Sequence, residues 1–413
     1  MAAEPPVTTA ADGTSRLALF ARFLRFGLLA WGGPVAQIAM LRRELVEEQR
    51  WIDGGRFNRL LAVFQVLPGP EATELAVHLG FLRAGRLGGL LAGLGFVLPG
   101  FALMLLLAWL YFLVDLTQAA IGAALLGIQV AVVAMVVRAV GQVGRHVLVD
   151  PLTWLIAIAA GLATLGRVPF WLVLPVAGIA AVLDQHHRRP ARLVLGTAVI
   201  VAAAYAVVVL TQLSTLAPPV PAPTVADRIP GGEAAPVELL LSGLTAGLLT
   251  FGGAYTAIPF LRGDAVGSGW LSDGQFLDGL ALGGILPAPL IIFSTFVGYV
   301  AGGLLGAVAM TVGVFLPAFA FSLVLGHRLE AVVQNPALRR LLDGVAAGVV
   351  GIIAVTAIDL GLVVLRQVPS PATAVVIFAA ALLLLVVWKS KAAIPVVIGL
   401  GAIAGFVAFQ SPG

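Results

Sequence analysis

The chain contains no cysteine, which excludes disulfides, thiolate metal sites and cysteine nucleophiles together. Charge is scarce as well: 11% of the 413 residues are charged and 60% are hydrophobic, where a soluble domain carries roughly 25% charged residues. A GxxxxGK[ST] phosphate loop, an HExxH pair and a G-x-S-x-G elbow are all missing. ATP drive would therefore need another subunit. An intramembrane enzyme, the second class of function, would have only Glu71 and Glu74 as paired catalytic groups. No cofactor and no metal are expected. The net charge of +4 reflects arginines flanking apolar segments, so no nucleic-acid partner is inferred. Residues 1–15 are polar and Ala/Pro-rich, and Arg16, Arg22 and Arg25 enter the first apolar stretch. A cleavable signal peptide is not expected from that pattern.

What the chain does have is a doubled pattern. Trp31-Gly32-Gly33-Pro34, Trp51, Phe57 and Leu67-Pro68-Gly69-Pro70 return as Phe251-Gly252-Gly253-Ala254, Trp270, Phe276 and Leu286-Pro287-Ala288-Pro289. From Trp51/Trp270 to Pro70/Pro289 the copies run without a gap. Helix breakers at matching places inside apolar stretches are the pattern of a secondary transporter, with its substrate near the breaks.

Apolar segments fall at about 17–41, 57–82, 86–114, 119–143, 151–166, 168–184 and 192–215, then 237–261, 276–301, 304–326, 340–364, 371–388 and 393–410. At roughly 20 residues per helical span, these predict about thirteen crossings, give or take two or three. Broken segments are the ones that can be re-entrant. The expected class is an all-α polytopic membrane protein with two homologous repeats of about six segments. The expected division is a polar tail at 1–16, a first repeat at 17–190, a linker helix and Pro-rich loop at 191–236, and a second repeat at 237–413. Six crossings and a seventh at 192–215 would set the second repeat upside down, giving inverted repeats. With the N-terminus inside, most arginines gather on the inner side, Arg262 among them. Arg42, Arg43, Arg50, Arg56 and Arg59 contradict this, and would agree if one of the first two segments did not cross.

Half-helices starting inside the membrane present unpaired N–H groups and a positive dipole end, which suits a small oxyanion. This makes Gly32, Gly33, Pro34, Pro68, Gly69, Pro70, Glu71, Thr73, Gly252, Gly253, Pro287 and Pro289 the candidate substrate site. Intramembrane charge is functional by default. Glu71 and Glu74 share a helix face after the PGP break, and His78 follows, whereas Leu290 and Phe293 stand at the second-copy positions of the two acids. A carboxylate beside an anion site repels the anion when ionised and admits it when protonated, so Glu71 or Glu74 is a coupling candidate. A solvated cavity wall is the alternative for both. His78 reads as a packing residue first and a relay second. Arg138 and Asp359 occupy matching positions and are candidates for a pair across the pseudo-two-fold axis, or for two snorkelling helix-end charges. Arg25 is read as an anion attractor or an interfacial anchor, and Glu44 and Asp264 as gate or helix-end residues. Gly85, Gly89 and Gly93, with Gly302 and Gly306, read as close-packing positions.

These residues resemble the chromate ion transporter family, in its long-chain, two-domain form. The resemblance rests on the GGP motif with Glu44 and Trp51, on Leu67-Pro68-Gly69-Pro70-Glu71, and on Leu75, Ala76 and Gly80. It continues through Arg83-Ala84-Gly85, Gly88 and Phe96-Val97-Leu98-Pro99-Gly100, then Gly252-Gly253, Asp264, Trp270, Leu286-Pro287 and Leu316-Pro317, covering 20–140 and 245–360. It implies antiparallel halves in a bacterial inner membrane and chromate efflux driven by the membrane gradient, conferring resistance. Two positions depart: Gln37 stands where the family often has histidine, and Thr73-Glu74 with His78 resembles a variant segment. Sulfate or another oxyanion, exported or taken up, stays open as the alternative, as does a homo-oligomer.

Overall fold

The computed structural model describes residues 15–113, 119–186, 234–326, 329, 335–388, 390 and 392–410. The expected linker helix at 192–215, and the Pro-rich loop up to residue 233, lie outside them. Among the described residues all regular structure is helical. The first repeat runs α1 (Arg16–Leu28), α2 (Gly33–Arg42, continued by a π-turn Arg43–Glu48), α3 (Gly54–Phe64), α4 (Glu71–Leu113), α5 (Ala119–Val147), α6 (Pro151–Leu165) and α7 (Phe170–His186). The second repeats that order as α8 (Pro236–Leu248), α9 (Ile258–Gly267), α10 (Asp273–Ile285), α11 (Phe293–Ala320), α12 (Pro336–Gln367), α13 (Pro371–Val387) and α14 (Ala393–Ala408).

Local chemistry sets the ends. Ser15 caps α1 through the Ala18 N–H, and Asp53 caps α3 through Gly55 and Arg56. Ser272 with Gln275 and Asp150 with Thr153 close capping boxes on α10 and α6. Inside α4 the backbone leaves helical values at Ala84 and Gly85, where Gly85 has φ 65. The chain folds back there: a Cβ on Gly80 would lie 2.4 Å from the Ala92 Cβ and 2.6 Å from the Gly88 carbonyl. We call the arms α4a (71–83) and α4b (86–113). The same break falls at Gly302 and Gly303, giving α11a (293–301) and α11b (304–320), and a Cβ on Gly298 would lie 2.4 Å from the Gly306 carbonyl. Gly85 is thus a turn residue and not a packing one, since only glycine enters that left-handed conformation without strain. Gly89 and Gly93 do pack closely, against Val77 of α4a and Leu323 and Phe319 of the second repeat.

Four of the thirteen expected crossings therefore enter and return. In 17–41 the chain returns after the Gly32–Gly33 turn, since Arg25 bonds Glu44 and Arg22 bonds Gln49 in the stretch that follows α2. In 57–82, α4a returns along α3: the rings of Phe64 and His78 are 5.6 Å apart, and the Arg83 guanidinium lies 5.2 Å from the Trp51 ring. In 276–301, Phe276 and Phe293 meet at 5.5 Å. The segment 237–261 has the same α8–tip–α9 form. Arms of 10–13 residues reach about 15–20 Å at 1.5 Å per residue, against a hydrocarbon core of about 30 Å. Their tips stop inside the membrane. Among the described residues, the helices Glu71–Leu113, Ala120–Val147, Leu290–Leu325 and Pro336–Gln367 contain the four stretches long and apolar enough to cross. Outward side chains along them, such as Leu106, Trp109, Val312 and Ile358, are apolar and exposed, as a lipid-facing surface requires.

The repeats are inverted. Gly93 of α4b lies against Phe319 and Gly89 against Leu323, so the two equivalent stretches run antiparallel. Likewise Gly144 of α5 meets Val350 of α12, while Gly361 of α12 meets Val133 of α5. The last two helices of each repeat cross over to the other half. Gly351 and Gly344 of α12 receive Ala157 of α6 and Ala177 of α7, and Gly127 of α5 receives Gly401 and Gly405 of α14. Glycine at these contacts lets backbones approach where lipid tails offer no hydrophobic drive between helices.

The hairpins also remove the arginine contradiction. Because α1 and α2 enter and leave on one side, Arg42, Arg43, Arg50, Arg56 and Arg59 share a face with Arg16, Arg22, Arg83 and Arg86. Arg262 moves the other way. It pairs with Asp273 at the start of α10 and lies 3.9 Å from Asp359, late in α12, on the face opposite the N-terminus.

Candidate functional site

Each hairpin tip is built by residues that cannot continue a helix. Gly32 (φ 92) and Gly33 (φ 77) turn the first, with Pro34 in the first turn of α2. Gly69 (φ 152) turns the second, and Pro70 accepts from the N–H groups of Thr73 and Glu74 before α4a begins. In the second repeat Gly252 (φ 67) and Gly253 (φ 124) lead into a 3-10 turn, Ala254–Ala257. Thr256 locks that tip: its hydroxyl accepts from the Phe251 N–H at 2.9 Å and donates to the Gly253 carbonyl at 2.8 Å. Pro287 and Pro289 flank the fourth, which starts α11 through a second 3-10 turn, Leu290–Ile292.

The tips converge across the repeats. The Gly69 N–H donates to the Thr250 carbonyl at 2.8 Å, tying the PGP tip to the residue before the GG tip. Gly69 therefore spends its N–H on protein. The first N–H groups of α4a, at Glu71 and Ala72, precede the helix's own bonds, as at any helix start. The fourth tip seats on the other repeat: a Cβ on Gly100 of α4b would lie 2.6 Å from the Ala288 Cβ. The first tip holds itself, through the amide of buried Gln37 donating to the Ala30 carbonyl at 3.0 Å.

Polar groups gather around the PGP tip. Glu71, Thr73, Glu74 and His78 are all buried. The Thr73 hydroxyl and both Glu74 oxygens have no hydrogen-bond partner among the described residues. Glu74 folds back over its own helix start, so close that a Cβ on Gly69 would lie 2.6 Å from Oε1. Ser322, at the end of the second repeat's long hairpin, reaches the Glu74 carbonyl at 3.4 Å. His78 sits between the rings of Phe64 and Phe81, at 5.6 and 5.8 Å. Along the far side runs the last third of α5. Val143 faces Gly252 at 3.6 Å, His146 lies within electrostatic reach of Glu71, and Arg138 within reach of Tyr255 in the GG tip. Acid groups, helix starts and two basic side chains thus share one region.

Other expected residues lie elsewhere. Arg25 pairs with Glu44, Arg22 and Arg83 flank the Trp51 ring at 5.1 and 5.2 Å, and Arg43 pairs with Glu48. That cluster lies at the arginine-rich end of the first two hairpins. Asp264 sits near the end of α9. The Arg138–Asp359 pair does not form, because Asp359 lies beside Arg262 and Arg138 beside the GG tip. Antiparallel placement of α5 and α12 carries their matching positions to opposite faces. A groove of about 510 Å³ between α5, α12 and α13, lined by Val133, Val137, Ala357, Leu365 and Phe378, is wholly apolar and has no part in this chemistry. Sequence reasoning missed Thr250, Tyr255, His146 and Thr256. Only the second, degenerate GG motif hinted at three of them, and nothing pointed to His146.

The chain is similar to known proteins along most of its length. A family model described as "Chromate transporter" matches residues 17–183 and again 237–406. A relative in Pseudomonas aeruginosa, named "Chromate transport protein", is 59% identical over 96% of this chain and 93% of its own length. One of the same name in Cupriavidus metallidurans is 30% identical over 98% of each. A "Probable chromate transport protein" of Synechococcus elongatus is 29% identical over 93% of each. No solved structure matches the chain.

Proposed function

We propose, from the premise that this chain belongs to the chromate transporter family, that it is a secondary active transporter exporting chromate across a bacterial inner membrane. On this reading it confers chromate resistance. A multi-pass membrane protein with an oxyanion substrate is the common ground of the family and the helical architecture. The observation that carries the reading further is the convergence of hairpin tips from both repeats, bonded from Gly69 to Thr250. Half-helix starts that meet inside the membrane offer N–H groups and dipole ends to a tetrahedral dianion where lipid would otherwise forbid it. The binding residues are then the Gly32–Pro34, Pro68–Pro70 and Gly252–Gly253 tips, Pro287 and Pro289, with Glu71, Thr73 and Arg138.

Coupling follows from electrostatics. Glu71 and Glu74 stand at the helix start that would hold the anion, so their ionised forms repel it and their protonated forms admit it. Proton movement and anion movement are linked by that exclusion. The arginine-rich face is cytoplasmic by the positive-inside rule, which places the Arg25–Glu44 pair inside. Sulfate is the second reading, because it shares chromate's shape and charge. Radiolabelled chromate and sulfate flux in everted vesicles, with and without a proton gradient, decides substrate, direction and coupling. Because a proton then travels with the dianion, one net negative charge moves per cycle, so accumulation is expected to follow the interior-positive potential of everted vesicles and to collapse when that potential is discharged. Uptake of sulfate alone would overturn the substrate, and no flux of either would overturn the transport reading.

A further inference from the structure

Asp278, in the middle of α10, is a carboxylate only 5% exposed. It belongs to the second repeat, and both its oxygens are engaged by the first. The Tyr111 hydroxyl, near the end of α4b, donates to Oδ2 at 2.8 Å. The Gln129 amide, on α5, donates to Oδ1 at 2.9 Å and lies 3.5 Å from the Gly274 carbonyl. The Gln129 Oε1 is buried and makes no hydrogen bond within the described residues. Aromatic packing holds the tyrosine in place, with its ring edge-on to Phe296 at 5.1 Å. Phe296 in turn approaches α10 through Gly279, where a Cβ would lie 2.4 Å from its ring.

Among the described residues the surrounding charges are few. On α10 itself, Asp273 pairs with Arg262 of α9, which also lies beside Asp359 of α12. Asp264 lies on α9, and α12 also carries Arg339, Arg340, Asp343 and Arg366. The charged and titratable groups of α5, Arg138, Arg145 and His146, lie toward its opposite end from Gln129. Arg83 and Arg86 lie at the far end of α4b from Tyr111, and the α4a arm, with Glu71, Glu74 and His78, folds back beside the first half of α4b, where Val77 meets Gly93. From α11 only Tyr299 is titratable, and α14 carries no ionisable side chain.

We propose that Asp278 is a second proton-binding site of the transport cycle, whose protonation unlatches α10 from α4b and α5. This rests on the transport reading above. An ionised Asp278 accepts two hydrogen bonds across the repeat interface. A proton on Oδ1 sets a second donor against the Gln129 NH2, so that bond is lost unless the amide turns its Oε1 inward, and a proton on Oδ2 obliges the Tyr111 hydroxyl to turn from donor to acceptor. On either oxygen the two charge-assisted bonds become weaker neutral ones, which loosens the latch. Alternating access moves one repeat against the other, so a bond between repeats that depends on a proton gives that motion a proton requirement. The second repeat then carries its own ionisable group, on the hairpin equivalent to the one bearing Glu74.

The test uses full-length purified protein, wild type and Asp278→Asn, Tyr111→Phe and Gln129→Leu. Thermal stability against pH needs no substrate. The wild type is expected to show a step that Asp278→Asn lacks and that the two donor variants displace along the pH axis. In proteoliposomes, Asp278→Asn is expected to keep chromate exchange within about two-fold at equal pH while gradient-driven accumulation falls at least about ten-fold. Parallel stability profiles for wild type and Asp278→Asn, or unimpaired accumulation in that variant, overturn the proposal. If Asp278→Asn does not fold, an undisplaced step in both donor variants overturns it. If the wild type moves no chromate, the transport reading fails while the stability profiles still decide Asp278.

Discussion

The two repeats share a scaffold and differ in what they place on it. Each has two hairpins, a long helix broken once, and a terminal pair that packs on the opposite half. At the second tip, however, the first repeat offers Pro68-Gly69-Pro70 followed by Glu71, Thr73 and Glu74, where the second offers Pro287-Ala288-Pro289 followed by Leu290, Ile292 and Phe293. Gly69 spends its N–H on the other repeat, while the Ala288 N–H turns back to the Leu286 carbonyl. Inverted repeats need matched backbones to exchange access between faces, but the substrate occupies one place and needs its chemistry only once. Architecture is shared through symmetry, whereas polar groups are distributed by function. The second repeat contributes its acid, Asp278, from a different arm of the equivalent hairpin.

The halves should behave alike at their close helix crossings. Gly127 and Gly344 each meet a carbonyl across a helix crossing, where an added Cβ would lie 2.1 and 2.5 Å from the oxygen. Leucine at either is expected to cost at least about 3 kcal/mol by overpacking, and monodisperse protein in detergent should be lost equally for both. Retained folding of one alone would mean that the halves are not equivalent in packing. The tips should then separate. Gly69→Ala puts a side chain at φ 152 and against Glu74, a strain of about 1–3 kcal/mol, and chromate flux is expected to fall at least about 30-fold. Ala288→Gly should leave flux within about two-fold.

Glu74→Gln is expected to lower gradient-driven flux about ten-fold, and wild-type flux with Glu71→Gln and Glu74→Gln both in place would remove the coupling proposal. For the matched pair on α5 and α12, Arg138→Gln should raise the KM for chromate about five-fold, since it lies near the GG tip. Asp359→Asn should change KM less than two-fold. Equal effects would restore the idea of a pair across the axis. The smallest effect is expected at Arg25 and Glu44. The arginine is largely exposed, so a double-mutant cycle on stability should give a coupling below about 1 kcal/mol.

Much of this is legible in the chain. The doubled GG and PxP motifs locate all four tips, because glycine and proline are the residues that end helices inside an apolar stretch. What misleads is the length of the segments: 17–41 and 57–82 are long enough to cross, yet each is two short arms. Hydropathy sums over residues and does not see the reversal at Gly32–Gly33. The conflicting arginines at 42–59 are the signal of that reversal. Asp278 escapes notice because the apolar segment 276–301 looks like any other with one acid in it. Its partners lie 167 and 149 positions away, beyond any local pattern. The same holds for His146 and Tyr255, which come to the site only through the packing of α5 on the GG tip.

By itself, then, the order of residues determined the membrane class, the repeat, the breaks and the acids beside one of them. These are local properties: apolar length sets partition into lipid, and glycine and proline set where a helix stops. Only the tertiary structure decided that the breaks are hairpin tips, that Gly69 meets Thr250, that Asp359 belongs to Arg262, and that Asp278 is held by the other repeat. Those outcomes depend on two inverted halves exchanging helices, and so on distances between residues that no local rule of the chain can encode.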